Sequence, residues 1–547
     1  MPLPRRQVSR LVSRLVSRLV SRQVTLAVAA LLAVGAVTGF ARTAARTRGG
    51  AQLLDQVLSL VALRHVDAMA PDSLYEAAAR GLVRELGDPY TELLTPADRA
   101  AFLRSTQGRY SGVGMLLTPP VDGFVMVDKV YPNTPAAARG VREGDRITAI
   151  DGVSVRNWSV DRVQAKLLGE TGTAVQVAFQ RSGVAQPLAQ RFLRAEIHVS
   201  SVPFAMMLSD GVGYVPVTQF GEQTAADVAR AVQSLQRQGA NGLVLDLRGN
   251  PGGIVGEAFS LANLFLPEGK VLLTVKERGS EEVLRAERAP LAPSLPLVVL
   301  VDGGSASASE IVAGALQDYD RALVLGTTSY GKGLVQSVFE LDGGYALKIT
   351  TGRWFTPSGR SIQKPRQFDA SGRYVEVSPD SLETAAVRRA RPTYTSSGGR
   401  TLYGGGAITP DLILPSNTIS TAEQRVRRAL SPHYGKYFAA LTAVAEQQRA
   451  AVRSDFTVQP AWRSAVLAHL AKDSVTLDAR VMEAGAAEID RALEERIARL
   501  AFGDSTVLRH QLRYDSQLST AQALVKGKAT QTAVFDAAAK RGGTDHS

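Results

Sequence analysis

The sequence predicts a multidomain chain of α/β and β character, in which a helical lead-in and a β-rich module precede an α/β core and a helical C-terminal region. Three observations carry that expectation. At 547 residues and 45% hydrophobic content, the chain exceeds what one core organises, seldom more than about 250 residues. Near Tyr110 the apolar period changes from helical to strand-like. From residue 212 to 355 short apolar runs alternate with helical segments, the pattern of a buried, largely parallel sheet.

Residues 1–50 hold nine arginines and no acids, so of a formal net charge of +12 only +3 belongs to the remainder. That balance argues against a nucleic-acid partner. The repeat LVSR places Arg10, Arg14, Arg18 and Arg22 near one face of a helix. Residues 24–40 follow as 17 positions without a charge, the length of a signal-peptide core or a short membrane anchor. Six arginines before this run and three after it favour an inside N-terminus and an exported chain. No clean A-x-A site stands out around Gly39 to Ala45, so cleavage and retention both stand.

Residues 51–107 are expected to be helical, because AQLLDQVLSLVALRHV and LYEAAARGLVREL repeat apolar residues at i, i+3 and i+4; GDPYTELLTPADR reads as a turn. YSGVGMLL, GFVMVDKVYP, DRITAIDGVSV and AVQVAFQRSG are strand-like runs separated by Gly, Pro and Asp, with one helix at residues 160–168. In SGVG, successive backbone N–H groups ahead of the strand MLL suit a terminal carboxylate and an added peptide strand; a plain strand-entry turn explains the same residues. The core alternates VGYVPVTQF, a helix from about Thr224 to Gln238, GLVLDLRGNPGG, a helix near residues 255–265, LVVLVD, a helix after Ser307 and RALVLGTT, then two late strands around VQSVFEL and YALKITTGRWF. Residues 364–400 lose periodicity and fill with Ser, Gly, Pro and charge, as a surface insertion does, and after GGGAITPDLILP helical pattern returns from about Thr421 to Ala539.

The chain has no cysteine, which excludes disulfides, thiolate metal sites and cysteine nucleophiles. Covalent chemistry would fall to another side chain. In GGSASASEIVAGALQDYDRALVLGTTSYGKG, residues 303–333, Ser307 stands at a helix start, where orphan N–H groups and the helix dipole favour negative charge on oxygen. A serine needs a base, and none of the six histidines lies within a hundred residues of it. Lys332, 25 positions on, falls in a loop at the same sheet edge if the intervening helix and strand form one α/β unit. To accept a proton it would have to be neutral, a preference worth about 3 to 4 kcal/mol in a dry site. On spacing alone, a capping serine and a solvated loop lysine are the simpler account.

Residues 111–196 resemble a PDZ domain of the circularly permuted bacterial kind, on SGVGMLL, VYPNTPAAARGVREGDRITAIDGVSV and SVDRVQAKLLGETGT. The segment GSASASEIVAGALQDYDRALVLGTTSYGKGLVQ, with DLRGNPGG and RWFTPSGRSIQ, closely resembles the carboxyl-terminal processing, or tail-specific, serine proteases, and the likeness spans about residues 55–415. The resemblance implies Ser307 as nucleophile, Lys332 as general base and Gln336 as the residue that orients it. It implies oxyanion donors at the backbone of Ala308 and of Gly252 or Gly253, and a peptide-binding loop at Ser111, Gly112, Val113 and Gly114. It implies no cofactor and no metal. Asp318 matches a recurrent family position, but about 16 Å of helical rise separates it from Ser307, so a structural role is expected. Ser305 and Ser309 are expected to cap or pack. Asp246 and Arg248 fit either an ion pair that fixes the oxyanion turn or a contact to substrate. Where the family often has Asn, this chain has Asp302 or Gly303.

The expected organisation is a basic leader at 1–23, a signal core or anchor at 24–40, a helical domain at 51–107, a PDZ domain at 108–197 and a protease core at 198–363. An insertion at 364–400, the end of the core at 401–417 and a helical region at 418–547 complete it. The expected function is that of an exported serine endopeptidase, periplasmic or otherwise extracytoplasmic and anchored to the inner membrane. It would recognise accessible C-terminal tails of protein substrates and cleave with a Ser-Lys dyad, with membrane contact through the N-terminal segment, no nucleic acid, and a homo-oligomer or adaptor as possible partners. The alternative is a catalytically silent PDZ scaffold or adaptor.

Overall fold

The computed structural model describes residues 51–121, 123–181, 184–365, 367–368, 374–375, 384–416 and 419–542. The leader and the uncharged run at 24–40 lie outside the described residues, among which no helix is long and apolar enough to cross a membrane. The chain divides into two compact units after Leu93. In the first, helices occupy residues 51–64 and Pro71–Glu85. The second begins with a correction: TPADR, read as part of a turn, opens a helix over Pro96–Gln107. Thr95 Oγ1 accepts the Asp98 N–H at 3.1 Å and the Asp98 carboxylate accepts the Thr95 N–H, a capping box with Pro at the first helical position.

The β-rich module contains β1 (Met115–Val121), β2 (Phe124–Val130), β3 (Arg146–Ile150), helix α1 (Val160–Leu167), β4 (Ala174–Gln180) and β5 (Leu188–Leu193), paired antiparallel in the order β1-β2-β3-β4-β5. Strand alternation builds its core: in AVQVAFQ every second residue, Val175, Val177 and Phe179, is buried. Strand β1 lies at the sheet edge. The strand β5 and a further strand, Ala195–His198, escape the sequence pattern because charged residues interrupt them; Ala195–His198 pairs with Arg109–Gly112 and joins the two ends of the module.

The core continues with β6 (Met206–Met207), β7 (Val212–Pro216), α2 (Thr224–Arg237), β8 (Gly242–Asp246), α3 (Val255–Asn263), β9 (Val271–Glu277), β10 (Ser280–Arg285), β11 (Leu297–Val301), α4 (Ala308–Asp318), β12 (Leu323–Gly326), β13 (Leu334–Glu340), β14 (Ala346–Phe355) and β15 (Leu412–Ile413). The main sheet runs β6-β7-β8-β11-β12-β15, parallel except for β6. Strands β10, β9, β14 and β13 pair antiparallel beside it.

Every residue of β8 and β11 is buried, so both faces of the sheet need a covering layer. One face carries Leu243, Leu245, Val299 and Val324 against Val228 and Val232 of α2, Leu261 of α3 and Val312 of α4. The other carries Val244, Val298, Leu300 and Leu325 against two C-terminal helices, Ser516–Val525 and Gln531–Gly542, through Leu518, Leu524, Val525 and Val534. The C-terminal region thus supplies the second layer of the core. Gly242 marks how close that layer comes: a Cβ there would lie 2.0 Å from Val525 Cγ1. The remaining C-terminal helices share a core of their own around Val444, Leu470, Leu493 and Ile497.

Candidate active site

Strands β8, β11 and β12 are parallel neighbours, so their C-terminal ends deliver three loops to one edge of the sheet: residues 247–253, 302–307 and 327–333. The loops are stitched together by short polar side chains. Ser305 Oγ donates to Leu247 C=O at 2.8 Å, and Ser309 Oγ donates to Asn250 C=O at 2.9 Å. Asp302 Oδ1 accepts Gly249 N–H at 2.8 Å. Ser305 and Ser309 therefore hold turns in place, and Asp302 anchors Gly249.

Ser307 precedes α4 with φ 54° and ψ −109°, in the left-handed half of backbone space for a residue with a Cβ. Such a conformation costs on the order of 1–3 kcal/mol and persists only when its surroundings enforce it. The enforcing group is Glu310. Its carboxylate is fully buried and receives four donors: Ser329 Oγ (2.5 Å) and Gly331 N–H (2.7 Å) on Oε1, Ser307 N–H (2.8 Å) and Lys332 N–H (2.9 Å) on Oε2. One oxygen thus holds the backbone of both Ser307 and Lys332. Burial pushes the Glu310 carboxyl above its ordinary range and the four hydrogen bonds draw it back. Because all four neighbours donate, the ionised form is the one that matches them.

Gly252 packs directly against Ser307. At φ +96°, an added Cβ would meet Ala306 O at 2.7 Å and Ser307 Cβ at 2.9 Å, so only glycine fits. The Gly252 N–H donates to Asn250 Oδ1 at 2.9 Å, while Asn250 Nδ2 donates to Val217 C=O at 2.8 Å. Among the described residues, the N–H groups of Ala308 and Gly253 have no hydrogen-bond partner. Gln336 sits on β13 and its amide donates to Thr350 Oγ1 at 3.5 Å.

Asp318 is buried at the far end of α4, paired with Arg360 at 2.7 Å and accepting Ser358 N–H at 2.8 Å. It stands away from Ser307, as its place in the helix implies. Arg248 binds Asp246 through Nε (2.9 Å) and Nη2 (2.6 Å), and Tyr214 O–H donates to the same carboxylate at 2.8 Å. The pair joins β8 to the turn that contains Gly252. Among the described residues, no group of three His, Asp or Glu is placed to hold a metal ion. His510 lies in the C-terminal helices, bonded to Glu494 at 2.7 Å and to Ser454 C=O at 2.8 Å.

In the β-rich module, Ser111 and Gly112 lie on the strand paired with Ala195–His198, and Ser111 Oγ bonds Thr171 Oγ1 at 2.9 Å. Val113 and Gly114 form the turn into β1; their carbonyls accept Ala136 N–H and Tyr131 N–H, and their own N–H groups take no partner among the described residues. That turn borders a cavity of about 120 Å³ between edge strand β1 and α1, lined in part by Tyr110, Met115, Leu117, Val160 and Leu167.

Sequence reasoning missed two features. Glu310 reads as the partner in a helix capping box, and three of its four donors come from a loop about twenty residues on. Asn250 reads as a turn residue, whereas its side chain takes one of the two candidate oxyanion donors out of use.

Residues 211–380 match peptidase family S41 and residues 104–179 match the PDZ domain. The carboxy-terminal processing protease CtpA of Bacillus subtilis is 34% identical over 294 residues, covering 54% of this chain and 62% of that protein, less than two thirds of its length. The carboxyl-terminal-processing protease of Synechocystis is 37% identical over 293 residues, covering 52% of this chain and 68% of that protein. A solved structure described as a photosystem II D1 C-terminal processing protease aligns at 31% identity over 59% of this chain and 84% of that one, with a TM-score of 0.34. The likeness in sequence to the two relatives carries the assignment: the chain belongs to the PDZ-containing carboxyl-terminal processing proteases of peptidase family S41.

Proposed function

We propose that the protein is an exported serine endopeptidase that takes the C-terminal tail of a protein substrate on its PDZ domain and cleaves the chain with Ser307 and Lys332. The observation that carries this reading is the shared anchor: Glu310 Oε2 accepts the N–H of Ser307 at 2.8 Å and of Lys332 at 2.9 Å. Residues 25 positions apart in sequence are thereby held at one point of the sheet edge.

Ser307 Oγ attacks the peptide carbonyl carbon while its proton passes to the neutral amine of Lys332. The carbonyl oxygen takes up negative charge beside the N–H groups of Ala308 and Gly253, the two donors left unspent, at the start of α4. The C–N bond then breaks as the lysine ammonium returns its proton to the leaving amine, and water resolves the acyl-enzyme by the reverse sequence. Gly252 is the contact surface against Ser307 and Gly253 the donor, which separates the two glycines by role. Gln336 acts from the strand that follows Lys332. The N–H groups of Val113 and Gly114 receive the tail carboxylate and β1 pairs with the tail as an added strand. The protein acts outside the cytoplasm, with residues 24–40 as signal core or anchor.

Changing Ser307 to Ala removes hydrolysis of a tail-bearing protein and labelling by a fluorophosphonate while tail binding persists. Hydrolysis retained by the pure Ser307→Ala protein refutes the dyad. Tail binding without labelling of the unaltered protein identifies a silent scaffold instead. Intact-mass measurement on protein from its native cell fixes whether residues 1–40 are retained.

A further inference from the structure

The turn that precedes Gly253 is held from outside the peptidase domain. Arg248, the residue immediately before that turn, is clasped by two carboxylates. Asp246, the last residue of β8, takes Nε and Nη2. Asp515, at the N-cap of the C-terminal helix Ser516–Val525, takes Nη1 at 3.0 Å and Nη2 at 2.8 Å, and Gln517 Oε1 takes the remaining Nη1 hydrogen at 3.0 Å. All five guanidinium donors are therefore used. Burial disfavours the Arg248 charge, but Asp246 and Asp515 outweigh it and hold the guanidinium more firmly protonated than usual. Asp515 is in turn fixed by the Leu518 N–H at 2.9 Å, and Gln517 Nε2 by Leu414 C=O at 2.6 Å.

The consequence is geometric. From Arg248 the chain enters a left-handed residue, Gly249 (φ +65°), and reaches the Gly253 N–H within five residues. Asp302 and Asn250 fix the middle of this turn; the Arg248 fork fixes its entry. A bidentate arginine pair sets both distance and orientation, which a single contact does not. Removing the Asp515 carboxylate leaves one hydrogen of Nη1 and one of Nη2 without an acceptor, so the side of the fork that faces the C-terminal helix is held by Gln517 alone.

We propose that Asp515 is a positioning residue for the oxyanion turn, acting through Arg248, so that the C-terminal helical region, which lies outside both matched domains, is a working part of the active site. This rests on the serine-protease reading given above. The test uses the full chain, β-casein extended by an apolar C-terminal tail as substrate, and a fluorophosphonate as titrant of Ser307. For Asp515→Asn, the labelling rate constant and kcat per titrated site fall about tenfold, a fraction of the 10²–10³ lost when an oxyanion donor is removed outright. KM and the final extent of labelling stay within twofold, and Asp515→Glu recovers part of the rate. Gln517→Met, which withdraws one acceptor, falls about threefold and serves if Asp515→Asn does not fold. Rates per titrated site equal to those of the unaltered protein in both variants overturn the proposal, as does a loss confined to the extent of labelling, which marks a merely structural role. If the unaltered protein neither labels at Ser307 nor cleaves, the protease reading itself fails.

Discussion

At the scale of single residues, the carboxylate of Glu310 organises the site without touching a reacting atom in the proposed chemistry. A Gln there keeps the shape but replaces two acceptor sites with two donors, facing N–H and O–H groups that are themselves donors. Glu310→Gln should cost about 2–4 kcal/mol, the scale of a buried charge-assisted hydrogen bond lost with its partner left unsatisfied. It should also reduce fluorophosphonate labelling per folded molecule by at least about a hundredfold, since Ser307 loses what enforces its backbone. Denaturant unfolding alongside labelling checks both, and an unchanged labelling rate in folded protein would show that Ser307 keeps its conformation without Glu310. The sequence singles out Ser307 and Lys332 as the candidate pair because the segment around them is continuous and distinctive. It does not single out Glu310 and Asp515. The partners of Glu310 are mostly backbone groups, which carry no sequence identity, and Asp515 lies 267 positions from Arg248.

At the scale of elements, strand and helix periodicity located most of the core, because the main sheet is built from short runs that are apolar throughout. The same runs held a message that periodicity cannot spell out. A strand such as LVVLV must be covered twice, and α2, α3 and α4 face one side only. The missing layer is the helix Ser516–Val525 with its successor, more than two hundred residues further on. Strands β9 and β10 escaped notice for the opposite reason, since VLLTVKE and SEEVLR mix apolar and charged residues without a sharp alternation. The close approach at Gly242 makes the covering layer testable. Gly242→Ala forces a methyl group against Val525 and should destabilise by about 1–3 kcal/mol, the usual cost of overpacking. Adding Val525→Ala removes the obstructing Cγ1 and should recover most of that loss in a double-mutant cycle. Additive losses in thermal unfolding would mean that the helix does not seat on β8 as described.

At the scale of the whole second unit, the C-terminal helices meet the PDZ domain as well as the core sheet. Arg496, on the helix Ala486–Phe502, donates Nη1 to Glu143 of the PDZ domain at 3.0 Å and Nε to Thr442 at 3.0 Å, and its guanidinium stacks 4.1 Å from the ring centre of Phe438. Met126 of β2 packs on that same Phe438, and Lys129 pairs with Asp504 at 3.0 Å. Burial raises the Glu143 carboxyl above its ordinary range, and Arg496 is the leading force against that rise. Arg496→Met keeps the packing and withdraws the opposing charge, so the folded-state shift of Glu143 grows. A carboxyl raised on folding contributes stability that is fully present below its ordinary range and is lost as pH rises through its folded value. The variant should therefore lose more at pH 8 than at pH 5. The difference should be about 2 kcal/mol, less than the roughly 3 to 5 of a fully buried pair, because the Glu143 side chain keeps 16% of its surface exposed. Glu143→Gln in the Arg496→Met background should remove the difference. Chemical unfolding at the two pH values decides it: an equal loss at both would mean that the PDZ domain is held by packing around Phe438, and that the ion pair adds nothing to its seat.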